Sequence, residues 1–404
     1  MSGKWPGGVI SKTAPTVTGP TDGEGGSASG IWTLDQAADY EKQGLWPKPV
    51  IPKEAWMWGY NNHGELGDSS IVAKSSPIQV GALTDWLQVS GGNYHTLAVK
   101  TDGTAWSWGE NGAEGKLGLG NATSYSSPKQ IGALTNWSQI SAGWYASWAV
   151  KSDSTLWAWG NGGDGALGQG ADTAHKNSPV QVGALTDWSS VAGGYNGFMA
   201  VKTDGTLWGC GNNSYGHLGF GNTTDISSPA QVGALTDWSE VSGFYTAMGA
   251  IKTDGTLWMW GRNNDGQLGD GSTTDRSSPV QIGSLTTWTK ISSGRSHVLA
   301  IKTDGTLWAW GNGGSGRLGQ GNTTDYSSPV QVGALTTWLK ASANYNFSGS
   351  IKTDGTLWMW GEGGLGRTGH GNTTDLSSPV QVGALTTWVK LDLGSQFTAA
   401  LKTP

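Results

Sequence analysis

The stretch "IKTDGTLWMWG" at residues 251–261 returns as "IKTDGTLWAWG" at 301–311 and as "IKTDGTLWMWG" at 351–361. A catalytic constellation is needed once in a chain. A packing unit is needed as often as the architecture repeats it, and self-similarity at a fixed period marks a repeat fold. The W-x-W-G element that ends the stretch recurs at Trp56, Trp106, Trp157, Trp258, Trp308 and Trp358. A variant at Trp208 reads "WGCG", with Cys210 in place of the second Trp. A further Trp follows each copy, at Trp86, Trp137, Trp188, Trp238, Trp288, Trp338 and Trp388. Seven units of about fifty residues result, and of the 25 tryptophans only Trp5, Trp32, Trp46, Trp144 and Trp148 stand outside the two series.

Each unit reads as short strands separated by turns. In "AIKTDGTLWAWG" (300–311) two β-rich runs flank Asp304-Gly305, a dipeptide that supplies positive φ to a tight hairpin turn. "SPVQVGAL" (328–335) alternates apolar and polar residues and is expected to begin a strand at Pro329, where no ladder N–H is needed. "GQLG" (266–269) brackets one apolar residue with two glycines, the pattern of a sharp corner with one buried plug. Nothing in the repeats carries a helical period. Four short strands per unit, seven times over, predict an all-β, seven-bladed β-propeller. The chain stops at "LKTP" in mid-hairpin, and the matching half stands at 54–59 as "EAWMWG". The last blade is therefore expected to take a strand from the N-terminal side, which closes the ring and removes a free sheet edge. Alternate residues of a strand share a face, so both rings of W-x-W should enter the gap between blades and be buried there.

Composition narrows the function. Charged residues make up 13% and the net charge is −6, without the basic face of a nucleic-acid binder. No apolar run reaches the length of a membrane helix, so no membrane insertion is expected. The N-terminus has no apolar core of a signal peptide, which predicts a protein made in a cytoplasm. One cysteine and six scattered histidines predict no metal site and no cofactor.

The W-x-W-G elements, the "SSPVQV" strand, the "WGNNSYGHLG"-type segments and the "SGRSHVLAIKTDG" hairpin resemble the RCC1-repeat family, named for the regulator of chromosome condensation. The resemblance covers about residues 54–404 and implies a seven-bladed propeller of RCC1 type. It implies nucleotide-exchange, inhibitor or adhesion-type functions. A family histidine is matched here only by His95 and His297, whereas Ala146, Gly197, Ala247, Phe347 and Phe397 depart, which speaks against exchange activity.

Two domains are expected: an attachment arm at 1–50 and the propeller at 51–404. The arm is Gly/Thr/Ser/Pro-rich and too polar to fold alone, so it is expected to be extended, with one short helix over 34–43 capped by Thr33 and Gln36. Trp5, Trp32, Leu34 and Trp46 are its candidate docking residues. Its "GIWTLDQAADYEKQGLWP" is similar to N-terminal segments of structural proteins of tailed bacteriophages, especially those of marine cyanobacteria.

The repeats serve as their own internal alignment, and positions that vary between copies are free of the shared packing duty. One such set precedes each hairpin: Asn93 and Tyr94, Trp144 and Tyr145, Tyr195, Tyr245, Arg295 and Tyr345. Aromatic residues and Arg on loops held by a rigid scaffold are binding-face chemistry, so these form a candidate binding rim. No catalytic residues are predicted. The expected function is a non-enzymatic virion structural protein, a capsid-decoration or tail-fibre module. Its arm would bind other virion proteins, and its rim a host-surface protein or glycan. The alternatives are a bacterial protein-binding or inhibitor propeller, and an exchange factor or enzyme.

Overall fold

The computed structural model describes residues 17–18, 27–28, 51–243 and 245–404. Two compact units divide the chain, Met1–Pro52 and Lys53–Pro404. In the first, Val17–Thr18 and Ser27–Ala28 pair antiparallel. The helix expected over 34–43, and Trp5, Trp32, Leu34 and Trp46, lie outside the described residues.

The second unit consists of seven four-stranded antiparallel sheets. The first holds Trp86–Gly91, His95–Lys100, Ala105–Gly109 and Tyr125–Gln130, in that spatial order. The repeated "TDGT" makes the central hairpin. Gly305 takes φ +74, and the Asp304 carboxylate accepts from the Thr306 N–H at 2.9 Å and hydroxyl at 2.7 Å. The Thr306 hydroxyl in turn accepts the Trp308 indole N–H at 2.9 Å, so one motif sets both the turn and the orientation of the next Trp. Pro329 does not begin its strand as expected. It is the fourth residue of Tyr326–Gln331, at a register shift on the outermost strand, where the missing N–H breaks no ladder.

Ring closure follows the sequence. Glu54–Gly59 pairs with Phe397–Lys402, Met57 opposite Ala399, and the last sheet runs Trp388–Leu393, Phe397–Lys402, Glu54–Gly59, Lys74–Gln79.

Between successive blades lie seven apolar clusters, each drawing on both neighbours. One joins Leu257 and Met259 of one blade to Trp288, Ile291 and Trp310 of the next. The cluster at the closing seam joins Leu357 and Met359 to Trp58 and Trp388. Trp310 is 0% exposed, and its indole N–H donates to the Gln267 carbonyl of the preceding blade at 2.9 Å. The "GQLG" corner makes that approach possible. Gly266 (φ +72) and Gly269 (φ +76) are in the left-handed region, and a Cβ on Gly269 would lie 2.7 Å from the Trp310 indole nitrogen. Leu268 is the buried plug. Within each blade the inner-strand Trp meets the first W-x-W ring nearly edge-on, and in every blade but the one with Cys210 it also packs against the second. Trp288 stands 6.0 Å from Trp308 at 77° and 6.2 Å from Trp310 at 62°.

One expectation needs correction. Both W-x-W rings point into the seam, but only the second is fully buried; Trp308 and its equivalents are half-buried. A lysine covers each first ring. Where the repeat carries an acidic partner, as in Lys100–Asp85, Lys202–Asp187, Lys252–Asp237 and Lys402–Glu54, the ammonium stands 4.0–5.1 Å from that ring. Where Asn136, Thr287 or Thr337 replaces the Asp, Lys151, Lys302 and Lys352 settle at 3.6, 3.5 and 3.5 Å. The acidic partner draws the cation aside, and without it the ammonium settles closer over the negative face of the ring.

The seven inner strands line a central cavity of about 200 Å³. Ser90, Ser141, Ser242, Ser292 and Ser342 each accept a backbone N–H from the next blade, those of Ala142, Gly193, Ser293, Ala343 and Leu393, at 2.9–3.1 Å. In the seventh repeat Asp392 stands at this position, hydrogen-bonded by the Ser90 hydroxyl and the Gly91 N–H, and burial pushes its carboxyl up to about 7. Its folded value lies above its unfolded value of about 4, so folding takes up a proton. The contribution is present in full below about pH 4 and is lost as pH rises toward 7. Asp392→Ser is therefore expected to raise the melting temperature more at pH 8 than at pH 5. Equal gains at the two pH values would contradict the assignment.

Candidate functional site

The loop between the first and second strand of each blade opens on one mouth of the central cavity. It is a tight turn: in the fifth blade the Gly294 N–H donates to the His297 carbonyl at 2.8 Å, which thrusts Arg295 outward. Residues from five blades meet there. Trp144 stands 6.2 Å from Tyr145, 5.6 Å from Tyr195 and 5.2 Å from Tyr245. It also reaches Tyr345 at 6.1 Å, four blades on. Tyr195 and Tyr245 form the tightest pair at 4.7 Å, nearly edge to face. The Arg295 guanidinium lies 5.2 Å from the Tyr245 ring and 4.5 Å from the Tyr345 ring, and it donates to the Tyr345 hydroxyl. Every one of these side chains is half-buried. Burial and the neighbouring Tyr145 hydroxyl push the Tyr195 phenol up to about 12.

Not every candidate joins this group. Asn93 is 4% exposed, so it offers almost no surface to a partner. Tyr94 stands in a second aromatic group with Tyr60 at 5.6 Å and His63 at 5.5 Å. Tyr60 and His63 follow W-x-W-G in the polar variable set, and only folding shows that this loop rises beside the mouth. Asp164 and Asn196 were also missed; the Asp164 carboxylate accepts from Asn196 and Asn212 at 3.1 and 3.2 Å beside Tyr195.

The mouth can stack, donate and accept; its side chains do not make a nucleophile and base. His95 and His297 lie buried beneath it, each ring Nε2 bonded to a serine of the next blade, Ser147 at 2.9 Å and Ser348 at 2.8 Å. Burial holds both imidazoles well below their ordinary range, so they remain neutral seam bolts. The Cys210 thiol is pushed up to about 12 by burial, which removes it as a nucleophile. Among the described residues no group of three or more His, Cys, Asp or Glu is placed to hold a metal ion.

Comparison with known proteins agrees with this architecture. The human protein WBSCR16 superposes with a TM-score of 0.78 at 19% identity, over 87% of this chain and 99% of that one. Yeast RCC1 (Prp20), solved bound to Kap60, gives 0.77 at 20% identity, over 88% and 89%. Among curated proteins, the ultraviolet-B receptor UVR8 of Arabidopsis thaliana is 32% identical over 178 residues, 43% of this chain and 40% of that protein. The probable E3 ubiquitin-protein ligase HERC6 of Homo sapiens is 35% identical over 167 residues, 40% of this chain and 16% of that protein. The matches thus span less than half the length of either relative. The regulator of chromosome condensation (RCC1) repeat model matches seven times, at residues 54–99, 102–150, 153–201, 204–243, 254–301, 304–351 and 354–401. The chain belongs to the RCC1-repeat family.

Proposed function

We propose that the chain is a non-enzymatic, protein-binding propeller whose interface is the aromatic mouth. One observation carries this reading: what the fold needs repeats around the ring, whereas Trp144, Tyr145, Tyr195, Tyr245, Arg295 and Tyr345 break the repeat and converge at one place, half-exposed. Aromatic rings and Arg are the residue types that dominate binding energy at protein interfaces. Yeast RCC1 (Prp20), which shares this fold, is solved bound to another protein, Kap60.

The finer reading is a particle-attached module of a tailed bacteriophage, made in the host cytoplasm and held in the virion through residues 1–50. Its support is the likeness of "GIWTLDQAADYEKQGLWP" to phage structural proteins, together with an arm whose tryptophans are widely spaced in polar sequence. Isolated aromatics on such a segment gain little until a partner supplies pockets.

Two variants test the two levels separately. Trp144→Ala/Tyr345→Ala is expected to melt within a few degrees of the parent yet lose at least tenfold in partner capture, because neither ring belongs to a seam cluster. Capture that survives both changes would contradict the mouth as interface. A chain starting at Pro52 is expected to melt cooperatively but to be absent from particles; normal incorporation would overturn the attachment role of the arm.

A further inference from the structure

The polar element after W-x-W-G supplies its own internal control. It reads "ENGAEGK" at 110–116, "NGGSGR" at 312–317 and "EGGLGR" at 362–367. The last residue of each is a cation that the fold buries: Lys116 is 2% exposed, Arg317 9% and Arg367 4%. The first residue decides how that charge is met. Glu110 pairs with Lys116, and Glu362 pairs with Arg367 at 3.1 Å. Arg317 has Asn312 in that place, and among the described residues no carboxylate forms an ion pair with it.

The donors of Arg317 find only carbonyls. Its Nε donates to Gly314 at 2.8 Å and its Nη1 to Tyr345 at 3.5 Å. The carboxylates whose fields reach it are bound elsewhere: Glu362 by Arg367 and by the Asn346 amide at 2.8 Å, Asp265 by the Asn312 amide at 3.3 Å, and Asp325 by the Gly313 N–H at 2.7 Å. Burial holds the guanidinium below its ordinary range in spite of them. A second guanidinium stands near. Arg295 is the one cation at its position of the repeat, and it too has no ion pair among the described residues. Its charge opposes that of Arg317, and it donates to the Tyr345 hydroxyl. One tyrosine thus carries a guanidinium at its hydroxyl and another at its main-chain carbonyl.

We infer that Arg295 and Arg317 form an oxyanion subsite within the mouth, which takes a carboxylate or phosphate carried by the partner's chain and gives Arg317 the counter-charge that Glu362 gives Arg367. The inference rests on the mouth as the interface. A guanidinium presents paired N–H donors that match two oxygens of one carboxylate or phosphate. A neutral amide or hydroxyl would meet a donor and leave the buried charge uncompensated. Elsewhere in the ring the chain answers the equivalent cation with a glutamate from within the same element; here that position holds a neutral side chain. Arg295 is half-exposed, so the subsite opens on the side from which a partner arrives.

Fluorescence anisotropy of the full-length chain at low ionic strength tests this, with labelled octapeptides that alternate glycine with glutamate, with phosphoserine or with glutamine. The melting temperature is recorded in inorganic phosphate alongside. The glutamate peptide, the phosphoserine peptide or both are expected to bind at least tenfold more tightly than the glutamine peptide, and the one that binds identifies the source of the oxyanion. Asn312→Glu/Asp265→Ser copies Glu362 and Ser315 into the equivalent places. It is expected to melt no lower than the parent and to lose at least fivefold in acidic-peptide binding. Arg295→Gln, at a half-exposed site, is expected to lose as much. Equal binding of the three peptides overturns the inference, as does acidic-peptide binding that both variants retain. Stabilisation by phosphate with neither acidic peptide bound would mean a free ion and overturns it too. Partner capture that depends on Trp144 would stand in each of those cases, so the two readings fail separately.

Discussion

Trp310→Ala is expected to lose about 3–5 kcal/mol of stability, the cost of emptying a large buried aromatic site. Trp308→Ala, two residues away on the same strand face, is expected to lose about 1–2 kcal/mol. The two rings differ in depth. Trp310 is 0% exposed and donates across the seam to the Gln267 carbonyl, so its loss opens a cavity and leaves an acceptor of the preceding blade without its donor. Trp308 is half-buried, and its N–H bonds only within its own hairpin. Its removal frees Lys302 to reach water, which offsets part of the loss. Urea unfolding of the two variants checks the difference, and equal midpoints would show that ring depth is misassigned.

Deleting residues 395–404 is expected to abolish the soluble monomer. The deletion removes Phe397–Lys402, the strand that pairs with both Trp388–Leu393 and Glu54–Gly59. It takes Phe397, Ala399, Ala400 and Leu401 out of the clusters on either side of the closing blade. Two strand edges and an apolar face become exposed together, the condition for edge-to-edge aggregation. Size-exclusion chromatography is expected to show the product in the void volume. A well-folded monomer of six blades would mean that closure contributes little.

Strand alternation and the split hairpin made the ring legible from sequence. Residues 54–59 and the C-terminal "LKT" are two halves of one repeated motif, and pairing them requires no knowledge of distance. Alternation also placed both rings of W-x-W on one side. It did not give their depth, because Trp308 lies near the turn at the solvent edge of the sheet and Trp310 lies further in; strand period carries no such coordinate. The candidate rim shows the same boundary. Periodicity put Trp144 and Tyr345 at equivalent positions on one end of the ring. That they touch depends on the bore of the channel, which no local pattern encodes. Asn93 fell out of the rim because the fold buries it, and its place in the repeat carries no sign of that depth. Asp392 was unremarkable in sequence, and its raised carboxyl follows only from the serine ladder that the blades build between them.

The most direct measurement is photocrosslinking with benzoylphenylalanine placed at Tyr145 or Tyr345, and, as a control on the opposite face, at Thr203 or Thr303, in the cells that make the chain. The account predicts a discrete higher-mass protein adduct from the two mouth positions and none from the two turn positions. Adducts from Thr203 or Thr303, with the mouth positions silent, would contradict it.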